Sequence, residues 1–488
     1  MDDMKPCWAA LPMELKLLIL EQLANAHSFH DSTRSGLAPY ASVSRDWQRF
    51  FESLTFRNFV LRLKDLIPFR EYTQSPRRRG YVRHIWLRLE ESRDGEESLG
   101  IPVGGSSTNH FGSAMLYLWT TLASWTIEES SEGLTLEMST HTLAGLIRYA
   151  RHVPKDDIGH YSKHLETGSL EQYDHVARFN HTSPSWATHI APSSSMQAGA
   201  MRALYTYDVK LSHIRLPPVE VVTKFLTRRA NTRNIHPDTL DQIVRSLPRL
   251  GEIHFERWRL GREGDERRWL KGLNDMCRYG LPLSVKKLTI FHEEIRVPFF
   301  ARSAPRRMVM EELIGSLVQG ALHLEHLALC FIIEADEFLS NTLEFRNLTS
   351  LTLTSALFID RSADTDEAVE RLMKTKKLLL LAAMAASRMP KLQLIEIWNG
   401  GDGQASVFCY KVGGERAEVI WKSTQDELIV DADVLEAWRA TARVHGRNEL
   451  QCSVTRLGIG GFKYYGSVLP YLESKEQVLH KVSAVQME

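Results

Sequence analysis

Residues 324–329 read LEHLAL. Leu327 and Leu329 alternate around Ala328, and a period of two puts both leucines on one face of a β-strand. The same L-x-x-L-x-L arrangement, with other apolar residues standing in for leucine, recurs along the chain. It appears at Val82, Ile85 and Leu87 in VRHIWLR, at Leu250, Ile253 and Phe255 in LGEIHF, and at Val285, Leu288 and Ile290 in VKKLTI. It returns at Leu348, Leu351 and Leu353 in LTSLTL, and at Leu392, Ile395 and Ile397 in LQLIEI. Each closing alternation predicts a strand with one buried face.

Helical stretches separate these matches: PDTLDQIVRSL, DERRWLKGLNDMCRYG, RRMVMEELIGSLVQG and the longer TDEAVERLMKTKKLLLLAAMAASRM. Helix, turn, then L-x-x-L-x-L resembles the leucine-rich repeat. Positions 253, 288, 327, 351 and 395 are separated by 35, 39, 24 and 44 residues, mostly longer than the roughly 20–29 of a standard repeat. The resemblance therefore implies an irregular solenoid with insertions over residues 61–400. An ordinary α/β domain with parallel strands shares the alternation and stays open. Residues 91–112 and 181–200, rich in Gly, Ser, Pro and Thr, are read as loops.

On the predicted strands, the residues between the apolar ones face away from the helices. They include His84, Trp86, Arg88, Glu252, His254, Lys287, Thr289, Phe291, His326, Thr352, Glu396 and Trp398. Exposed aromatics of this kind anchor protein–protein interfaces, which makes Trp86, Phe291 and Trp398 candidate contacts for a protein client. Beyond residue 400, SVFCYKVGGERAEVIWKST reads as a hairpin turning at Gly413–Gly414, and DADVLEAWRATARVH as a helix N-capped by Asp431 or Asp433. Residues 401–488 are expected to cap the solenoid's last apolar edge.

The first sixty residues differ. In WAALPMELKLLILEQLANA, Leu11, Leu15, Leu18, Ile19 and Leu23 make one helical stripe, and Met13, Leu17 and Leu20 make a second. One small domain cannot cover both. LAPYASVSRDWQRFF follows, with Val43, Trp47, Phe50 and Phe51 at helical spacing and Ser44 as the expected N-cap. LPMELKLLILEQL followed by VSRDW resembles an F-box over residues 8–55. More loosely, VRHIWLR soon after this stretch, and AEVIWKST followed by a helix containing AW, resemble the F-box proteins of filamentous fungi. Two features depart from a compact F-box: the loop after Leu23 is long, and Pro39 falls in the second helix, where only the first turn tolerates it.

The F-box resemblance implies that residues 1–60 dock on a Skp-type adaptor, and through it on cullin, using Leu11, Pro12, Leu15, Leu18, Ile19, Leu20, Leu23, Val43 and Trp47. The implied function is that of a non-catalytic substrate receptor in an SCF-type ubiquitin ligase. Two readings stand beside it: an F-box protein acting with the adaptor outside a ligase, and a leucine-rich scaffold without an adaptor. The expected fold class is α/β: a small all-α unit of three short helices, an irregular leucine-rich-repeat-like solenoid, and a C-terminal α+β cap.

Chemistry is sparse. The chain has no GxxxxGK[ST] loop, no GxSxG elbow and no HExxH, and GIGGF at 458–462 lacks the third glycine of a dinucleotide loop. His160 and His164 share a helical spacing near Asp156 and Asp157, a thin basis for zinc without cysteines. Five cysteines lie far apart, as reduced intracellular thiols do. No cofactor or metal is expected. A hydrolase site within residues 113–200 is the enzymatic alternative. Sixty basic residues balance sixty acidic ones, which removes the general electrostatic case for nucleic acid or an anionic membrane as a partner. The basic run SPRRRGYVRHIWLR is read mainly as a solvated lead into the first strand, with a nuclear address or a phosphate contact as the alternative. The acidic opening residues, and an apolar run of only Leu378–Ala386, predict a soluble cytoplasmic or nuclear protein.

Overall fold

The structure, a computed structural model, describes residues 8–30, 34–91, 108–130, 132–142, 208–211, 214–228, 231, 234–259, 263–293, 307–341, 344–359, 365–401, 403–425, 429–458, 460–462 and 465–485. It is a mixed α/β fold around one large, mostly parallel open sheet. The strands are β1 (Asn58–Leu61), β2 (His84–Glu91), β3 (Leu134–Thr142), β5 (Val222–Thr227), β7 (Glu252–Trp258), β8 (Lys287–Glu293), β9 (His326–Glu334) and β10 (Ser350–Thr354). They continue with β11 (Leu394–Gly401), β12 (Gln404–Val412), β13 (Ala417–Ser423) and β14 (Leu450–Arg456). The short strands β4 (Asp208–Val209) and β6 (Asn234–Ile235) pair apart from the rest.

All twelve strands of the sheet lie in chain order. Pairing is parallel from β1 to β11, antiparallel through β12 to β13, and parallel again to β14. The six L-x-x-L-x-L matches fall on β2, β7, β8, β9, β10 and β11. Their registers are those of the motif: Leu288 stands opposite Leu327, Leu327 opposite Leu351, and Leu351 opposite Ile395.

Parallel neighbours need a crossover, and helices supply it. Between β2 and β3 runs α5 (Thr108–Ala123); before β7, β8 and β9 run α6 (Pro237–Arg245), α7 (Glu263–Asp275) and α8 (Arg307–Ala321). Then come the short α9 (Ala335–Leu339), α10 (Thr365–Ala386) before β11, and α11 (Ala432–Val444) before β14. Their apolar stripes, including Trp119, Ile243, Leu270, Leu317, Leu378 and Trp438, join Ile85, Leu136, Ile253, Leu288, Leu327, Leu351, Ile395 and Val419 in one contiguous core. Each such leucine or isoleucine removed from water contributes on the order of 1.5–3 kcal/mol. Gly133, just before β3, has φ +78, and a Cβ there would sit 2.2 Å from the Thr223 hydroxyl oxygen, so the turn requires glycine.

Several expectations need correction. The hairpin turn, with Gly413 N–H donating to Arg416 at 2.9 Å, and the Asp431 cap, which accepts from Val434 N–H at 3.1 Å, stand as read. The boundary at 400/401 does not, because β11 runs through Gly401 and folds straight back on β12. Residues 401–456 extend the same sheet rather than forming a separate unit. Strands β1, β3, β5 and β14 escaped the motif: Leu134, Leu136 and Met138 alternate, but Ser131 stands where the leading apolar residue would be. The region 113–200 and the His160–His164 pair lie largely or wholly outside the described residues, as does most of 91–112 and all of 181–200.

The N-terminal unit consists of α1 (Met13–His30), a 3-10 helix (Arg34–Ser42) and α2 (Arg45–Thr55). Pro39 lies well inside the 3-10 segment rather than in an α-helical first turn. Proline has no N–H to donate in either helix type, so the i→i+3 ladder lacks that bond at Pro39. Ser44 caps α2, accepting from Trp47 N–H at 3.3 Å. Two short helices follow, α3 (Leu66–Tyr72) and α4 (Pro76–Arg79).

Candidate docking surfaces

The N-terminal unit has a core of its own. Leu20, Ala24, Leu37 and Phe51 are buried, with Trp8, Leu23, Tyr40, Trp47, Phe50 and Leu54 packed against them. Aromatic edges fix it: Tyr40 and Phe51 lie 5.2 Å apart, and Trp8 and Trp47 5.5 Å. That core uses only one side of α1. On the other side Leu15, Leu18 and Ile19 are exposed; Met13 and Leu17, on the stripe of Leu20, are exposed toward the start of the helix, and so is Val43 in the segment ahead of α2. Leu18 is 52 % exposed while Leu20, two residues on, is 2 % exposed. A run of large apolar side chains on one helix is a patch that a chain acting alone rarely presents.

The nine residues singled out for adaptor contact therefore divide. Pro12, Leu15, Leu18, Ile19 and Val43 are open to solvent, and Leu11 is half-buried. Leu20 is enclosed in the unit's own core, where Leu23 and Trp47 also pack. As placed, Leu20 holds the unit together and offers nothing outward.

A second surface is the sheet face opposite the helices. Here the expectation of exposed aromatics is corrected: Trp86, Phe291 and Trp398 are all buried. The Trp86 indole N–H donates to Ser139 Oγ at 2.7 Å, while the Arg228 guanidinium stands 5.1 Å over its ring. Phe291 and Trp398 sit in a separate apolar cluster with Cys330, Val407, Leu457, Phe462, Tyr465, Val468, Leu469, Leu472, Val478, Leu479 and Ala484. The chain's own C-terminal segment covers them. Phe331 completes the cluster; its φ of 61 is in the left-handed region, costly for a bulky residue. That turn brings its ring to 5.3 Å from Trp398 and 5.0 Å from Tyr465.

Beyond this aromatic knot, the segment crosses the strands as α12 (Lys475–Val478) and α13 (Lys481–Val485). Two buried carboxylates hold it. Glu396 on β11 accepts the N–H groups of Glu473 and Ser474, each at 3.0 Å, and the Ser474 hydroxyl. Glu256 on β7 accepts His480 N–H at 2.8 Å and the Ser483 hydroxyl, and lies 2.8 Å from the His254 ring nitrogen. Between them, Thr289 donates to the Gln477 carbonyl at 2.8 Å and Ser350 to the Gln477 side chain at 2.6 Å. Burial outweighs the donors at Glu396 and leaves its carboxyl above the usual range. At Glu256 burial also pushes upward, but His254, Ser483 and His480 N–H overcome it and hold the group low. Of these residues the sequence singled out His254, Thr289 and Glu396 by strand parity alone; nothing in it showed what would cover them.

Further along the same face, the fully buried Glu137 accepts from Arg228 at 2.6 Å and pairs with His84 at 2.9 Å. None of this resembles a catalytic centre. Cys277, Cys330 and Cys409 are buried, and burial pushes the Cys277 thiol up to about 12, far from a reactive thiolate. Among the described residues no cluster of three metal-ligating side chains occurs, and no helix is long and apolar enough to cross a membrane.

In class, then, this is a mixed α/β protein with a large, mostly parallel open sheet and an exposed apolar helix face near its N-terminus. Residues 280–480 match the model of a family of unknown function, DUF6546. No curated protein matches the chain. The matched span runs from just before β8 to the middle of the C-terminal segment, so it takes in Glu396 and most of the strap that Glu396 holds.

Proposed function

We propose that this chain is the substrate-receptor subunit of an SCF-type ubiquitin ligase. Residues 1–60 act as an F-box docking on a Skp-type adaptor, and the sheet and helices that follow act as an irregular leucine-rich solenoid that holds a protein client. The chain performs no bond chemistry. It positions a client so that a target lysine meets the conjugating enzyme's thioester at high effective concentration. Cytoplasm or nucleus is the corresponding location.

One observation carries the reading: Leu15, Leu18 and Ile19 are exposed on a helix whose opposite side already has a core. Each, once covered, is worth on the order of 1.5–3 kcal/mol. The one-directional strand order also supports the solenoid. The test is co-expression with a Skp-type adaptor. Wild type should co-purify with it and Ile19→Asp should not, while both give the same far-UV spectrum. Retention of adaptor by the variant overturns the assignment; adaptor without cullin converts it to adaptor-only function.

A further inference from the structure

The two faces of the sheet are composed differently, although both are covered. The helix face is apolar along its length, as Leu288, Leu327, Leu351 and Ile395 illustrate. The face under residues 473–485 carries His254, Glu256, Thr289, Ser350, Thr352 and Glu396, all buried there. A parallel sheet permanently covered on both sides reads as a continuous apolar run. This second face is apolar at Phe291, Ala328, Cys330 and Trp398 but polar at the six positions just named, as on a sheet whose second face meets water.

The carboxylates make the same point. Under a fixed layer a buried glutamate gains nothing that an apolar residue would not provide, because its desolvation offsets its hydrogen bonds. On a face that is sometimes open, it is hydrated when uncovered and satisfied when covered. The covering segment also adds no strand to the sheet. Its grip beyond Leu472 includes the Glu396, Gln477 and Glu256 contacts, the Lys411–Glu473 pair, and Val478, Leu479 and Ala484. Its root is different, since Phe462, Tyr465, Val468 and Leu469 are locked into the aromatic cluster of Phe291, Phe331 and Trp398.

We infer that the sheet face from β7 to β11 is a peptide-binding surface occupied in cis by residues 473–485. This segment pivots near Leu472 and is displaced by a partner segment of the same chemistry. That partner is a protein segment that places backbone N–H groups and a serine or threonine hydroxyl on each of Glu396 and Glu256, spaced as Ser474 and Ser483 are. That the displacing segment belongs to a ubiquitylation client rests on the receptor reading; that the face exchanges peptides does not.

Limited trypsin digestion of the full-length chain tests it, because Lys475 and Lys481 lie in the strap and cleavage there reports its opening. In the double variant E256Q/E396Q, cleavage after Lys475 and Lys481 should accelerate at least about ten-fold over wild type. Wild type trimmed at the same lysines should keep its far-UV spectrum and bind a fluorescein-labelled peptide of residues 471–488, which neither uncut wild type nor trimmed E256Q/E396Q should bind. Two results overturn the inference: unchanged cleavage, or cleavage that proceeds together with digestion of the whole sheet, which would make the segment a structural layer. Adaptor co-purification from the same preparations separates the two claims, since its loss removes the receptor reading and leaves the peptide test standing.

Discussion

Glu52 in α2 accepts from Arg78, in the short helix α4, at 2.8 Å, and from Arg77 of the same helix at 2.7 Å. Arg78 also lies 4.9 Å over the Phe56 ring. These contacts tie the N-terminal helical unit to the sheet. They give two arginines of the basic run a structural task, which weighs against reading that run as a free nuclear address. Burial works to raise the Glu52 carboxyl, but hydrogen bonds from Arg78 and Gln48 and the charges of both arginines hold it below its ordinary 4.5. A depressed carboxyl stabilises the folded state above pH 4.5, and the contribution fades as pH falls through the folded value. Glu52→Ala should therefore cost about 1–3 kcal/mol at pH 7 and progressively less below pH 4.5. Hydrogen exchange across residues 8–55 measures it, and equal protection in variant and wild type at pH 7 would refute the clamp.

Two leucines two positions apart should behave as opposites. Leu20→Ala removes a side chain from a small core and should destabilise the N-terminal unit by about 2–5 kcal/mol. Leu18→Ala, at an exposed site, should change stability by less than about 0.5 kcal/mol and act only on adaptor binding. Thermal unfolding followed by Trp8 and Trp47 fluorescence reports the first effect, and pull-down with adaptor the second. Similar melting shifts for both variants would mean that α1 is covered on both sides.

The sequence showed these two stripes but not their division. A helical wheel places Leu18 and Leu20 on different sides; it cannot say which one the 3-10 helix with Leu37 and Tyr40 will cover. The six motif strands were legible because period-two burial against helices writes itself as alternating leucines. Trp86, Phe291 and Trp398 were assigned to the correct face for the same reason. Their burial was illegible because the cover of Phe291 and Trp398 comes from distant residues, Leu457 to Ala484, in short helices without periodicity. The positive φ at Phe331 left no trace either, since glycine or asparagine would be the residues that announce it.

Glu334 closes β9, and its carboxylate accepts from Ala356 N–H at 2.8 Å. Burial, helped by the nearby Asp336 and Glu337, pushes it up to about 7. Between pH 4.5 and 7 the folded state then binds a proton that the unfolded state has lost, so stability falls as pH rises across that window. His292, buried and held down to about 3, acts in the opposite sense, with stability falling as pH drops below 6.5. The two partly cancel in wild type. Glu334→Gln removes one of them: the variant should gain on wild type steadily from pH 4.5 to 7 and then level off. Urea midpoints at half-unit pH steps measure the difference, and a constant difference would show that Glu334 titrates normally.

The buried Arg257–Glu266 pair joins β7 to α7 through two hydrogen bonds, of 2.8 and 2.6 Å, and the guanidinium lies 3.6 Å from the Trp269 ring centroid. Both side chains are almost wholly enclosed. Removing one partner leaves a charge in a dry site, so Glu266→Ala should cost about 3–5 kcal/mol. Removing both with apolar residues of similar size should cost far less, because the desolvation penalty goes with the charges. Arg257→Met with Glu266→Leu is therefore expected to recover most of the loss seen in Glu266→Ala, with the introduced thioether side chain lying along Trp269 in place of the guanidinium. Urea unfolding of the single and double variants decides this. A double variant as unstable as the single one would show that the pair contributes net stability through its hydrogen bonds, and that the β7–α7 contact depends on charge rather than on filled volume.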